Sequence, residues 1–205
     1  MARVIILAAG KSTRLDGECK MIVRAGGIPV HEWHSRAWGD SAEAVVLPEH
    51  VDQLVASGWS GSVTGIAGAG GPARTLMNYL KTTGSSGRIS IVYGDSLVSE
   101  GIYKPGDWVG VAIAPARPWD YWNGFDWVRG TPKVEVCCGI YQFEDGKLLL
   151  DILSQIEYAD DVEIGMVPVL RRYDHKRQME RLRISGWQDA GDWNAIKKVE
   201  NNANV

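Results

Sequence analysis

The sequence predicts a single-domain three-layer α/β/α fold, with helices on both faces of a mostly parallel, mixed sheet. Three observations predict it. Short β-branched or apolar runs, such as R-V-I-I-L at 3–7 and I-S-I-V-Y at 89–93, alternate with helix-like segments through short connections, as in repeated strand-helix-strand units. Two of these runs stop abruptly at small or acidic residues, A-A-G at 8–10 and G-D-S at 94–96, and sheets of this kind bind ligands beyond the carboxyl ends of their strands. A chain of 205 residues is also long enough to bury a substantial core without disulfide or metal staples, so residues 1–205 read as one domain.

Hydrophobic residues at 45% and charged residues at 23% are ordinary globular values. A formal net charge of −3 and a pI near 5.8 give no general attraction to nucleic acid. Cys19, Cys137 and Cys138 form neither a C-x-x-C pair nor a metal spacing, which fits a reducing cytosol. No apolar run approaches about 18 residues and the start lacks a secretory hydrophobic region, so neither membrane insertion nor export is expected.

The first strand, 3–7, empties into Ala8, Ala9, Gly10, Lys11, Ser12 and Thr13, a small-residue loop whose backbone N–H groups can approach an anion. Arg14 and Lys20 add mobile positive charge there. With Leu7, these loop residues are candidates for binding a polyphosphate, and Arg14 and Lys20 are the candidate catalytic residues. Gly10 to Thr13 also looks like the tail of a Walker A loop, but that motif's first glycine would fall on Ile5, inside the strand. An ordinary strand-to-loop turn is the third reading. Residues 21–24 form a short extended piece, 25–27 a tight turn, and Pro29 opens a helix to residue 38 as its first helical residue. His31 and His34 share a face of that helix with no third ligand nearby, which marks a packed or solvated pair more than a metal site.

Residues 42–47, 49–56 and 62–66 read as strand, helix and strand. Four glycines then precede a helix over 73–81. They mean either a flexible turn or a place where a flat group lies on the backbone, since glycine has no Cβ to obstruct it. Strand 88–93 delivers Asp95 just past its end, where a carboxylate is costly without a partner. A metal ion beside a triphosphate would satisfy it, and so would a turn.

Residues 98–130 are an aromatic-rich insertion, with a strand at 109–114 and a loop at 115–118. Trp119, Tyr121, Trp122 and Trp127 crowd its second half. These rings either pack as a satellite core or wall an acceptor, stacking on a sugar face or, with an acid, caging a quaternary ammonium. A strand at 133–143, helices at 147–156 and 161–173 and a strand at 181–185 follow. Cys137 and Cys138 alternate across the strand, so a bond between them would be strained. Arg171, Arg172, His175, Lys176, Arg177 and Arg181 form a basic cluster of the kind usually solvated. Asp192 is a good N-cap for a closing helix over 193–199.

Taken together, these motifs resemble the sugar-phosphate nucleotidyltransferase family. L-A-A-G-x-x-x-R from Leu7 to Arg14, followed by Lys20, is similar to its signature loop, and K-M-I-V-R-A-G-G-I-P-V continues the pattern through a G-x-P turn. Residues 68–75 resemble its base-holding turn, Gly94-Asp95 its G-D motif, C-G-I-Y-Q-F its G-I-Y-x-F strand under the acceptor phosphate, and W-Q-D-A-G-D its W-x-D-x-G-T motif. The resemblance runs from residue 3 to about 199. It departs at Ser12, where a second glycine is usual, at Cys19 in place of a proline, at Asp192 in place of threonine, and in the short stretch between Arg14 and Lys20.

The resemblance implies a nucleotide-diphospho-sugar transferase-like fold and a cytoplasmic enzyme. Such an enzyme transfers a nucleoside monophosphate from a nucleoside triphosphate, a pyrimidine favoured, to a sugar 1-phosphate or small alcohol phosphate and releases pyrophosphate. Asp95 and Asp189 would hold magnesium. Gly70, Gly71 and Thr75 would hold the base, and Trp119, Tyr121, Trp122 and Gly139 the acceptor. Within the class, a choline-phosphate-type cytidylyltransferase and a molybdopterin-type transferase are alternatives; outside it stand a P-loop kinase and a non-catalytic nucleotide-binding module. A monomer or homodimer is expected, with neither nucleic acid nor membrane as a partner.

Overall fold

The structure is a computed structural model that describes residues 2–10, 15–67, 70–113, 119–122, 126–130, 135–158 and 162–203, with the backbone alone at 119, 122 and 200–203. In chain order the elements are β1 (Arg3–Leu7), β2 (Arg24–Ala25), β3 (Ile28–Pro29), α1 (Val30–Trp38), β4 (Glu43–Val46) and a 3-10 turn (Pro48–His50) leading into α2 (Val51–Ala56). Next come β5 (Ser62–Gly65), α3 (Gly71–Thr83), β6 (Ile89–Tyr93), β7 (Ser96–Leu97), β8 (Trp108–Ala112), β9 (Trp119–Trp122), β10 (Trp127–Gly130) and β11 (Val136–Phe143). The remainder is α4 (Gly146–Ser154), α5 (Val167–Lys176), β12 (Glu180–Arg183), β13 (Gln188–Asp189) and α6 (Trp193–Ala203).

Seven strands form the central sheet in the order β12-β8-β11-β6-β1-β4-β5. Parallel pairs join β1 to β4 and β6, β4 to β5, and β8 to β12, while β11 runs antiparallel to both β6 and β8. Only β11 is therefore reversed, as a mostly parallel mixed sheet requires. The period-two alternation of β1 sends its side chains into two cores. Val4 and Ile6 pack with Val30 and Trp38 of α1, Leu54 of α2 and Ile196 of α6; Ile5 and Leu7 pack with Leu76 of α3, Ile152 of α4 and Leu170 of α5. Helices thus cover both faces. Each fully buried Ile or Leu contributes about 1.5–3 kcal/mol. An exposed pair such as Lys104 with Glu180 contributes about 1 kcal/mol at most, so the two cores hold the layers together.

Several boundaries differ from those the sequence predicts, each for a local reason. Pro29 is not the first helical residue: with ψ at 145° it ends β3 and stands at the N-cap of α1. The helix expected over 161–173 begins at Val167, with Pro168 in its first turn. Its expected start at Asp161 lies outside the described residues, and 162–165 is not helical. There Ile164 donates its N–H to the Gly70 carbonyl and accepts from the Ala73 N–H, so backbone pairing with α3 overrides the helical spacing. α3 itself starts two residues earlier than expected, at Gly71. Tail residues 133–134 of the expected 133–143 strand, and the loop at 115–118, lie outside the described residues. The aromatic-rich insertion contains the β9–β10 hairpin, which the sequence reading left without a pairing. Asp192 does cap α6, accepting from the Ala195 N–H at 2.9 Å.

Candidate active site

A cavity of about 850 Å3 opens at the carboxyl ends of β1 and β6. Small residues let it form there: Leu7, Ala9 and Gly10 line it where β1 ends, while Ala8 lies beneath, donating its N–H to the Val45 carbonyl at 2.7 Å. Lys20 returns across this loop, and its Nζ stands 3.8 Å from where a Cβ on Gly10 would be. From there it donates to Oδ2 of Asp95 at 2.7 Å, with both side chains more than four-fifths buried. The loop cation and the carboxylate beyond β6 therefore meet at one point.

Asp95 is positioned from three sides. Gly94 donates its N–H to the Leu7 carbonyl at 2.9 Å, tying the turn to β1. Beneath it, His34 of α1 shares a hydrogen bond with the Gly94 carbonyl at 3.1 Å, and burial pushes this imidazole down to about 4, which leaves it neutral at pH 7. The Asp95 carbonyl accepts from the Ala190 N–H at 2.8 Å, extending the two-residue ladder in which Asp189 of β13 pairs with Ser96 of β7. That ladder, which the sequence does not announce, brings the second candidate metal ligand beside the first. Both Asp95 and Asp189 line the cavity.

The donor set fits magnesium. Among the described residues no group of three or more His, Cys, Asp or Glu is arranged to hold a metal ion, so a closed protein cage is not on offer. Two carboxylates facing a cavity are what magnesium uses when phosphates and water complete its shell. His31 and His34 are buried in α1, and neither lines the cavity.

The remaining expected residues fall into three groups. Gly71 and Thr75 line the cavity at the start of α3, and Gly70 caps that helix with φ at 92°. Gly139 lines it too, at a register shift in β11 where φ is 74° and a Cβ would meet Ser96 Oγ at 2.6 Å. Lys11, Ser12, Thr13 and Arg14 lie outside the described residues, as do the side chains of Trp119 and Trp122. Tyr121 is not among the residues lining the cavity; its ring lies 3.4 Å from where a Cβ on Gly130 would stand.

Its neighbour Asp120 does line the cavity, with Arg129, Tyr93 and Glu163, to which the sequence assigns no site role, and with Tyr141 of the C-G-I-Y-Q-F strand. A carboxylate between two aromatic residues in a short strand was the available signal for Asp120. Glu163 falls within the helix that the sequence predicts over 161–173, and Tyr93 reads as a plain strand residue. Burial pushes the Cys137 thiol well up and Cys138 up to about 12, so neither supplies a thiolate nucleophile. Both are free, and Cys19 is buried as well.

No protein-family model matches this sequence, and no curated protein does. Solved structures do match. A Bacillus anthracis protein assigned as a glucose-1-phosphate thymidylyltransferase superposes with a TM-score of 0.80 at 18% identity, over 99% of this chain and 95% of that one. The CTP:phosphocholine cytidylyltransferase of Streptococcus pneumoniae gives 0.75 at 11% identity, over 98% of each chain. The inositol-1-phosphate CTP transferase of T. maritima gives 0.73 at 16% identity, over 100% of this chain and 96% of that one. The fold of the present chain is the nucleotidyltransferase fold of these neighbours. No helix among the described residues is long and apolar enough to cross a membrane.

Proposed function

We propose that the chain acts as one nucleotidyltransferase domain, transferring a nucleoside monophosphate from a nucleoside triphosphate, a pyrimidine favoured, to a sugar 1-phosphate or small alcohol phosphate with release of pyrophosphate. The observation that carries this reading is the meeting of Lys20, Asp95 and Asp189 over the β1 loop, on one cavity. An acceptor phosphomonoester has a second pKa near about 6, so its oxygen is already anionic at neutral pH and needs no general base. It attacks the α-phosphorus, and the bond to the bridging oxygen of the β-phosphate breaks. What the site must supply is closeness of two anions.

Lys20 is placed to exchange Asp95 for the attacking and α-phosphates, screening their repulsion. The loop from Leu7 to Thr13 would cradle the triphosphate through N–H groups beyond Ala8, whose own is bonded to Val45; Arg14 would hold the departing pyrophosphate, and Gly70, Gly71 and Thr75 would hold the base. Asp95 and Asp189 would hold magnesium, which when bound neutralises and orients the α-phosphate.

Pyrophosphate release, followed for each nucleoside triphosphate against a panel of phosphomonoesters, tests the reading. Asp95→Ala and Asp189→Ala are each expected to cut turnover by roughly 100-fold or more. Nucleoside diphosphate formed without pyrophosphate would mean a kinase instead, and unchanged turnover in either variant removes the two-carboxylate metal site.

A further inference from the structure

The transfer reaction leaves two carboxylates of the cavity wall, Asp120 and Glu163, without a task, and of these Asp120 is the buried one. Asp120 sits in β9 within W-D-Y-W and is only 9% exposed. Its Oδ1 accepts from Nη1 of Arg129, its cross-strand partner in β10, at 2.9 Å. Oδ2 lies toward Gly165, another wall residue, 3.6 Å from where a Cβ there would stand. Among the described residues no group donates a hydrogen bond to this second oxygen. Open to the cavity and not sealed in protein, this oxygen is an acceptor for water or for a ligand's donor, and it favours a ligand that brings a donor over one that displaces the water without replacing its hydrogen bond.

Two kinds of donor differ in what they require of Asp120. A cationic head needs net negative charge, whereas a hydroxyl needs only a free acceptor. Burial pushes the Asp120 carboxyl above the usual carboxylate range and Arg129 opposes that shift. Ionised, the pair is close to neutral; protonated, it leaves the Arg129 charge uncompensated on the cavity wall. Neither state attracts a cation. A quaternary ammonium also has no N–H to give to Oδ2. Of the other wall carboxylates, Asp95 is paired with Lys20, Asp189 is the second proposed metal ligand, and Glu163 is exposed and screened by water.

We infer that Asp120 is the acceptor-selecting residue of the proposed transferase, its free oxygen taking a hydrogen bond from a hydroxyl of an uncharged, polyhydroxylated phosphomonoester, in preference to an acceptor with a quaternary ammonium. This rests on the reading of the cavity as a nucleotidyltransferase site. Asp120→Asn keeps the shape and an oxygen for Arg129 but presents an amide donor to the cavity. Arg129→Met does the reverse, removing a positive charge from the cavity wall while leaving the acceptor oxygen.

The test measures two quantities on the whole chain with magnesium. Calorimetry gives binding of glucose 1-phosphate, inositol 1-phosphate and choline phosphate, and pyrophosphate release gives kcat/KM for each. The wild type is expected to bind at least one of the two polyol phosphates about 10-fold or more tightly than choline phosphate. Asp120→Asn is expected to lose about 10-fold or more of that binding while its affinity for nucleoside triphosphate is unchanged. In Arg129→Met the ratio should move toward choline phosphate. Equal or better binding of choline phosphate by the wild type overturns the inference, as does failure to bind either polyol phosphate, or Asp120→Asn binding the preferred one as the wild type does. Polyol phosphate binding that depends on Asp120, without transfer to any acceptor, would uphold the inference and sink the transferase reading.

Discussion

His34 shows how a residue can serve a site without facing it. It is 1% exposed, held under the Gly94 carbonyl immediately before Asp95, and its imidazole is pushed down to about 4 by burial. A histidine whose folded pKa lies below its unfolded value of about 6.5 binds fewer protons when folded, so its contribution is intact above that pH and falls away as pH drops toward about 4. The loss is on the order of 3 kcal/mol across that window. Denaturant unfolding of the wild type and of His34→Gln over this range checks it: the two curves of stability against pH should converge on the acid side, and parallel curves would remove the buried neutral imidazole from the account. Legibility at this scale follows charge. Asp95 draws notice in the sequence because a carboxylate just past a buried strand needs a partner, and Lys20 because it adds charge to the small-residue loop, whereas Asp189 is marked only by the resemblance to the W-x-D-x-G-T motif. Asp120 could not be read in this way, because its role turns on which parity of β9 faces inward, and the rings on either side drew the reading to Tyr121.

At the level of elements, the contact between α3 and residues 163–165 decides the shape of the expected base site. Gly71 has φ at 82°, and a Cβ there would stand 2.7 Å from the Ile164 nitrogen and 2.8 Å from its carbonyl oxygen. Gly71→Ala must therefore adopt a disfavoured backbone and also push the Ile164 segment away. A loss of about 2–3 kcal/mol is expected from the two effects together. Thermal denaturation reads the stability, and equilibrium binding of the preferred nucleoside triphosphate should weaken in the same variant. If the affinity holds while the protein is destabilised, α3 and its neighbour do not form the base site. The sequence shows the glycines but not their partner: apolar residues at 164, 166, 169 and 170 carry helical spacing, and only the pairing of Ile164 with Gly70 and Ala73 makes the first of them extended. By contrast, β1, β4 and β6 were legible nearly to the residue, since a strand buried on both faces needs nothing outside itself to be apolar.

On the scale of the whole molecule, sheet order and the reversal of β11 were not written in any local pattern. They follow from which strands pair across the chain, at separations from 19 residues, 62 − 43 for Ser62 with Glu43, to 86, 89 − 3 for Ile89 with Arg3. The site inherits that distance: Lys20 comes from the first loop, Asp95 from the middle, and Asp189 from beyond the last sheet strand. Ligand should therefore stabilise the entire fold and not one lobe. A ligand at 100 times its Kd adds about 2.7 kcal/mol, which for a chain of this size raises the melting temperature by roughly 5–10 °C. The prediction is that nucleoside triphosphate with magnesium produces such a rise, that Asp189→Ala melts like the wild type without ligand, and that it loses the magnesium-dependent part of the shift. A full shift in Asp189→Ala would place the metal elsewhere.

The ladder between β13 and β7 also sets the time at which the site comes into being. All seven strands of the central sheet lie within residues 3–183. A chain emerging from the ribosome can fold from its N-terminal side as it lengthens, closing Lys20 onto Asp95 while residue 189 is still inside the exit tunnel. The second carboxylate arrives only when two residues pair with Ser96 and Leu97. On the proposed two-carboxylate reading, the site is therefore completed late in synthesis.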